Sequence, residues 1–165
     1  VSDTSSATDA TAERRGATAP IDLAPRHRRQ RNQVLLFVRG VADWLHVTFA
    51  AAIVVGVFLQ VYLVGSYIFG AGTGALDAHR TVGFALQGPE LFVLLTALVA
   101  WLSRIDLLLA LLVAIVGFLQ AFLASAHQWV GGLHPLLALV VLGLATALAL
   151  RGVRRQRERR LVRTT

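Results

Sequence analysis

Residues 107–126 read LLLALLVAIVGFLQAFLASA, a stretch without a single charged side chain. A run of about 18 or more apolar residues is long enough, as a helix, to cross the hydrocarbon of a bilayer. Three further stretches read the same way, so spans are expected at residues 46–69, 79–102, 107–126 and 134–150. The connections between them are short. Gly-rich residues 70–77 and the polar turn Ser103-Arg104-Ile105-Asp106 form two of them, and residues 127–133 form the third. Four helices so joined predict an all-α, integral membrane, up-down-up-down four-helix bundle over residues 34–150. The second span is read as interrupted at Gln87-Gly88-Pro89-Glu90.

The flanks differ from the spans. Residues 1–33 are rich in Ser, Thr, Ala, Asp and Arg, with Pro20 and Pro25 and no apolar period. They read as a disordered basic tail without the order of a signal peptide. Residues 34–45 mix apolar side chains with Arg39 and Asp43, a pattern suited to lying along the interface with Trp44 as anchor. Residues 151–165 read as a basic C-terminal tail. Both tails and the middle turn carry arginine, whereas the other two loops carry only Arg80. The excess of arginine places both termini in the cytoplasm and the protein in a bacterial cytoplasmic (inner) membrane.

Composition removes several chemistries. The 165 residues include no cysteine, which excludes disulfides, thiolate metal sites and cysteine nucleophiles. All sixteen basic residues are arginine, and the net charge is +7. Because the arginines flank membrane spans, they read as topology determinants and contacts for anionic lipid rather than for nucleic acid. Nothing is arranged as a hydrolase constellation, and no catalytic residue is assigned.

Histidine is the residue that suggests chemistry. His79, His127 and His134 fall at span ends on the outer side, and His46 falls at the inner end of the first span. FLQVYL at residues 58–63 and FLQAFL at residues 118–123 echo one another, and a loop and a helix opening on histidine follow each. Such an echo reads as a duplicated helix pair, making His79 and His134 symmetry mates across the bundle. Two imidazoles on opposite faces are what a six-coordinate haem b requires. Gly83, one turn beyond His79, would let a flat macrocycle approach. Arg80 would pair with a propionate. His127 is either a competing ligand or a propionate partner, and His46, lacking a mate at its depth, reads as an interfacial residue. One haem per chain follows.

Glu90 lies eleven residues past His79, roughly 16 Å along the helix and near the bilayer centre. A carboxyl there should be protonated or paired. Gln60 and Gln120 stand about midway along their own spans and could bond to it or to each other. The trio reads either as a proton-relay or quinone contact, or as a polar clamp setting helix register.

LDAHRTVG at residues 76–83 and GLHPLLAL at residues 132–139, with the glutamine-bearing first helix, resemble an uncharacterised family of small bacterial (actinobacterial-type) four-helix membrane proteins. More distantly the layout is similar to one half of haem A synthase. That resemblance implies a bis-histidine haem on His79 and His134. The chain departs from it in having one half only, no loop cysteine pair, and Asp77 as the nearest acid to His79. These departures argue against haem oxidation chemistry and leave haem holding. The reading is then a haem b-binding, single-electron-transfer or haem-holding membrane protein. Its partners would be the lipid bilayer and a larger membrane redox complex or a homo-oligomer. Alternatives are a cofactor-free accessory subunit of a respiratory or transport complex and a small carrier using Glu90.

Overall fold

The computed structural model describes residues 24–124 and 128–164. They form five helices: α1 (Ala24–Ile68), α2 (Thr73–Val99), α3 (Arg104–Leu123), the short α4 (Gln128–Gly131) and α5 (Leu133–Thr164). Among the described residues there is no strand. Two units are distinguished, Val1–Val34 and Leu35–Thr165. What is described of the first is the opening of α1; everything below concerns the second.

Helices α1, α2, α3 and α5 are long and apolar enough to cross a membrane. At 1.5 Å per residue the 20 residues of α3 extend roughly 30 Å, the thickness of the hydrocarbon layer. Outward-facing positions carry large apolar side chains such as Phe58, Leu95, Leu112, Phe118 and Leu139, all exposed. The buried interior is built largely of small or branched residues, among them Ala50, Ile53, Val93, Ala97, Ala110, Val113, Val141 and Ala145. That distribution suits helices packed in lipid, where backbone proximity rather than hydrophobic burial drives association.

Side-chain contacts fix the neighbours. Phe49 of α1 stacks on Phe92 of α2 with ring centroids 5.3 Å apart. Asp43 of α1 is bonded by Arg155 of α5, and Asp106 of α3 is bonded by the same arginine. Helix α3 packs on both α2 and α5. Helices α2 and α5 therefore each touch both α1 and α3.

The FLQ echo is accompanied by like burial at several corresponding positions of the two helix pairs. On α1 and α3, Ala50, Ile53 and Gln60 correspond to Ala110, Val113 and Gln120, sixty positions on. The first two pairs are fully buried in both helices. On α2 and α5, Gly83, Val93 and His79 correspond to Ala138, Leu148 and His134, fifty-five positions on. The offsets differ because His79 follows Gln60 by nineteen residues and His134 follows Gln120 by fourteen, so the repeat is clearer in burial than along the sequence.

Helix boundaries depart from the expected spans. Helix α1 runs without a break from Ala24, so residues 34–45 continue the first span instead of forming a separate element. Helix α2 starts at Thr73 and continues through Pro89, which leaves His79 inside the helix rather than opening it. Helix α5 includes the arginine-rich segment as far as Thr164.

The α2–α3 turn is fixed locally. Leu102 N–H bonds to Ala97 O and Trp101 N–H to Leu98 O, both at 3.1 Å, closing α2 with a Schellman motif. The left-handed position of that motif is held by Trp101, with φ 53°, where glycine is usual. Arg39 donates to the carbonyl of Ala100 at 3.3 Å and lies over the Trp101 ring at 5.7 Å. Ser103 then caps α3, accepting from Asp106 N–H at 3.2 Å while its hydroxyl donates to the Asp106 carboxylate at 2.7 Å.

Candidate functional site

His79 of α2 and His134 of α5 meet. Their ring centroids are 6.2 Å apart and the ring planes stand at 85°. Each ring is oriented in the same way. His79 Nδ1 bonds to the backbone carbonyl of Gln60 at 3.1 Å, and His134 Nδ1 bonds to that of Gln120 at 2.9 Å. A carbonyl can only accept, so each Nδ1 donates its proton. Tethering one ring nitrogen in this way fixes the orientation of the ring.

The rings border a cavity of about 450 Å³, lined mainly by apolar groups from α1, α2, α3 and α5. Gly83 and Ala138, each one turn beyond its histidine, stand on the cavity wall. Larger side chains there would narrow it. At Gly83 a Cβ would come within 2.6 Å of the Gln60 amide nitrogen. Arg80 also lines the cavity, and its guanidinium pairs with Asp77 at 3.4 Å while remaining largely exposed. His127 lies outside the described residues.

Gln60 and Gln120 contribute differently from the expectation. Their backbone carbonyls hold the histidines, whereas their side-chain oxygens are buried without a hydrogen-bond partner. Neither side chain bonds to Glu90. They also stand at the histidine level rather than midway along the bundle, as the pairing of Gln60 with His79 requires. Glu90 itself is buried at 4% exposure and lies against Gly117 of α3, where a Cβ would overlap its carboxyl group.

A second polar cluster lies at the other end. Asp106 is 1% exposed and receives Arg151 Nε at 2.6 Å and Arg155 Nη1 at 2.8 Å. Asp43, also buried, receives Arg155 Nη2 and Arg159 Nη1, both at 3.2 Å. Arginines at 151, 155 and 159 share one helix face, which is how a charge run read as a tail becomes part of the bundle. His46 belongs to the core here rather than to the interface. It is fully buried, with Nδ1 on the Val93 carbonyl at 2.9 Å and Nε2 unpartnered. The sequence offered one clue to this cluster: Asp43 and Asp106 are acids bordering apolar spans, and the arginine spacing is helical.

Among the described residues no group of three or more His, Cys, Asp or Glu side chains comes together as a metal site. The histidines form a pair, not a cage. No family model, curated protein or solved structure matches this chain.

Proposed function

We propose that this chain is a membrane haem b protein in which His79 and His134 would hold the haem. The observation that carries the reading is the pair of neighbouring imidazoles, each tethered through Nδ1 to a backbone carbonyl and each lining one cavity. The two rings come within 6.2 Å of each other between α2 and α5, close enough for both to serve one site. A pair of protein ligands also suits a macrocycle, which supplies the remaining donors, better than it suits a bare ion needing three or four side chains. The cavity falls within the usual size range of cofactor sites.

When bound, haem supplies reversible one-electron chemistry. The protein's part is to fix the two nitrogens, to admit the macrocycle beside Gly83 and Ala138, and to offer Arg80 at the cavity wall for a propionate. Nothing in this arrangement activates a substrate, so the role is electron transfer or haem holding without catalysis.

In this reading the four long helices form an up-down-up-down bundle in a bacterial cytoplasmic membrane, with both termini inside. The arginine cluster on Asp43 and Asp106 then marks the cytoplasmic end and the histidine pair the outer end. One haem near one face cannot carry an electron across the whole bilayer. The chain therefore serves a redox partner, either a larger membrane complex or another copy of itself.

Protein purified from haem-replete cells tests this directly. The expected result is a Soret band and a reduced α-band, both lost in His79→Ala and His134→Ala and retained in His46→Ala. Perpendicular imidazole planes should also give a strongly anisotropic low-spin ferric signal in electron paramagnetic resonance. A wild-type chain without a Soret band refutes the proposal, and a band that survives both histidine substitutions refutes the ligand choice.

A further inference from the structure

Glu90 differs from the other buried carboxylates of the bundle. Asp43 and Asp106 are neutralised by arginines. Glu90, 4% exposed, makes no hydrogen bond or ion pair among the described residues. Packing does not demand a carboxyl there. Under the internal repeat, Glu90 and its contact Gly117 correspond to Ala145 and Val57, which are buried apolar residues. The symmetry-related layer, between α5 and α1, is thus filled by alanine and valine with no acid. Between α2 and α3 the side-chain volume is redistributed, with glycine on α3 making room for the carboxyl on α2.

The position of that carboxyl relates it to the histidine cavity. Gly117, which it touches, precedes by three residues Gln120, whose carbonyl holds His134. On α2, Glu90 follows by three residues Gln87, which lines the cavity. Along both helices the carboxyl lies about one turn, roughly 5 Å, beyond the edge of the cavity lining, and eleven residues, roughly 16 Å, along α2 from His79. The titratable and charged groups on the faces packed around it are few. On α1 they are Asp43, paired with Arg155, and His46, held by the carbonyl of Val93 one turn further toward the aspartate end. On α3 it is Asp106, and on α5 they are His134, Arg151 and Arg155. None of these bonds to Glu90.

A lone carboxylate in so apolar a setting is disfavoured unless positive charge stands nearby. Ferric haem with two neutral axial imidazoles carries one net positive charge at its core, and ferrous haem carries none. The oxidised site therefore favours the ionised form of Glu90, and the reduced site favours the acid. We propose that Glu90 takes up one proton whenever an electron enters the haem held by His79 and His134. The electron comes from a one-electron reductant and converts Fe(III) to Fe(II). The proton comes from the bulk solvent, forms one O–H bond on the carboxylate, and offsets the added electron so that the charge of the buried site is unchanged. This inference rests on the haem reading above.

Potentiometric titration of the haem-loaded protein between pH 5 and pH 9 provides the test, with optical detection. Because reduction is linked to proton uptake, the midpoint potential of the wild type should fall with rising pH, by up to about 59 mV per unit. In Glu90→Gln the Soret and α-bands should persist while this dependence disappears, since the amide cannot take the proton. A wild type with pH-independent potential, or a Gln variant with unchanged dependence, overturns the inference and leaves the haem reading standing. A wild type with no haem band overturns both. Reduced-minus-oxidised infrared spectra of the wild type labelled with ¹³C-glutamate give a second readout that needs no variant. A carboxylic C=O band sensitive to the label is expected on reduction, and its absence overturns the inference.

Discussion

Replacing Asp106 by alanine tests whether the arginine cluster is a structural element or a solvated charge run. The Asp106 side chain is 1% exposed and takes part in three side-chain hydrogen bonds, to Arg151, Arg155 and Ser103. Hydrogen bonds to charged groups contribute about 1.5–3 kcal/mol each, but a simple sum overstates the loss. The Arg151 side chain is 40% exposed and can turn to water, and Arg155 keeps Asp43 as a partner. Loss of a buried ion-pair partner together with the Ser103 contact gives about 3 kcal/mol, the lower end for breaking such a pair. Asp77→Ala is the matched control. It removes the same charge from a pair whose side chains are 64% and 69% exposed, a change worth at most about 1 kcal/mol. For a chain of this size each kcal/mol moves the melting temperature by about 2–4 °C. Thermal unfolding in detergent, followed by circular dichroism, should therefore show a loss of about 6–12 °C for Asp106→Ala and under about 4 °C for Asp77→Ala. High salt should reduce the smaller effect and spare the larger. Equal shifts for the two variants would refute the argument from burial.

Two further substitutions test local geometry. Gly83→Leu should leave helical content unchanged by circular dichroism while abolishing the haem bands, because the side chain enters the cavity beside Gln60; a loaded Leu variant would place the macrocycle elsewhere. At the α2–α3 turn, Trp101→Gly and Trp101→Ala both lose the Arg39 contact, but only alanine retains the strain of φ 53°. The glycine variant should be the more stable by about 1 kcal/mol in the same unfolding assay, and a reversed order would count against the strain argument.

The four apolar windows were legible in the sequence because bilayer thickness imposes a minimum length on any spanning helix. Their ends were not. Hydropathy marks where a segment stops being apolar, whereas a helix stops where its backbone finds other partners. Helix α5 continues past Leu150 because Arg151, Arg155 and Arg159 meet buried aspartates on α1 and α3. Tertiary pairing of that kind is invisible in a run of arginines. His46 was misplaced for a related reason. Its partner is the carbonyl of Val93, and every residue carries a carbonyl, so a tether of that kind leaves no mark on the sequence. The meeting of His79 and His134 was legible, because the FLQ echo singled them out as mates. How they are held was not, since Gln60 and Gln120 act through their backbones while their amides attracted attention.

The repeat also separates what the fold needs from what has been added to it. Where the two halves agree, at Ala50 and Ala110, Ile53 and Val113, or Gln60 and Gln120, one packing solution has been used twice. The histidine pair falls in this shared set, with like tethers and a small residue one turn beyond each ring. A site assembled from both halves cannot form in a single helix pair, because each pair contributes one imidazole and one wall of the cavity. Glu90 stands outside the shared set, as do Asp43 and the arginines that bind it. Residues that break the symmetry of a duplicated bundle must be explained by something the two halves do not have in common. For Asp43 that is the arginine face of α5, whose counterpart position for Arg155 on α2 is Ala100. For Glu90 no such structural counterpart is present among the described residues, and the proposed proton uptake is the role that its substitution by glutamine tests.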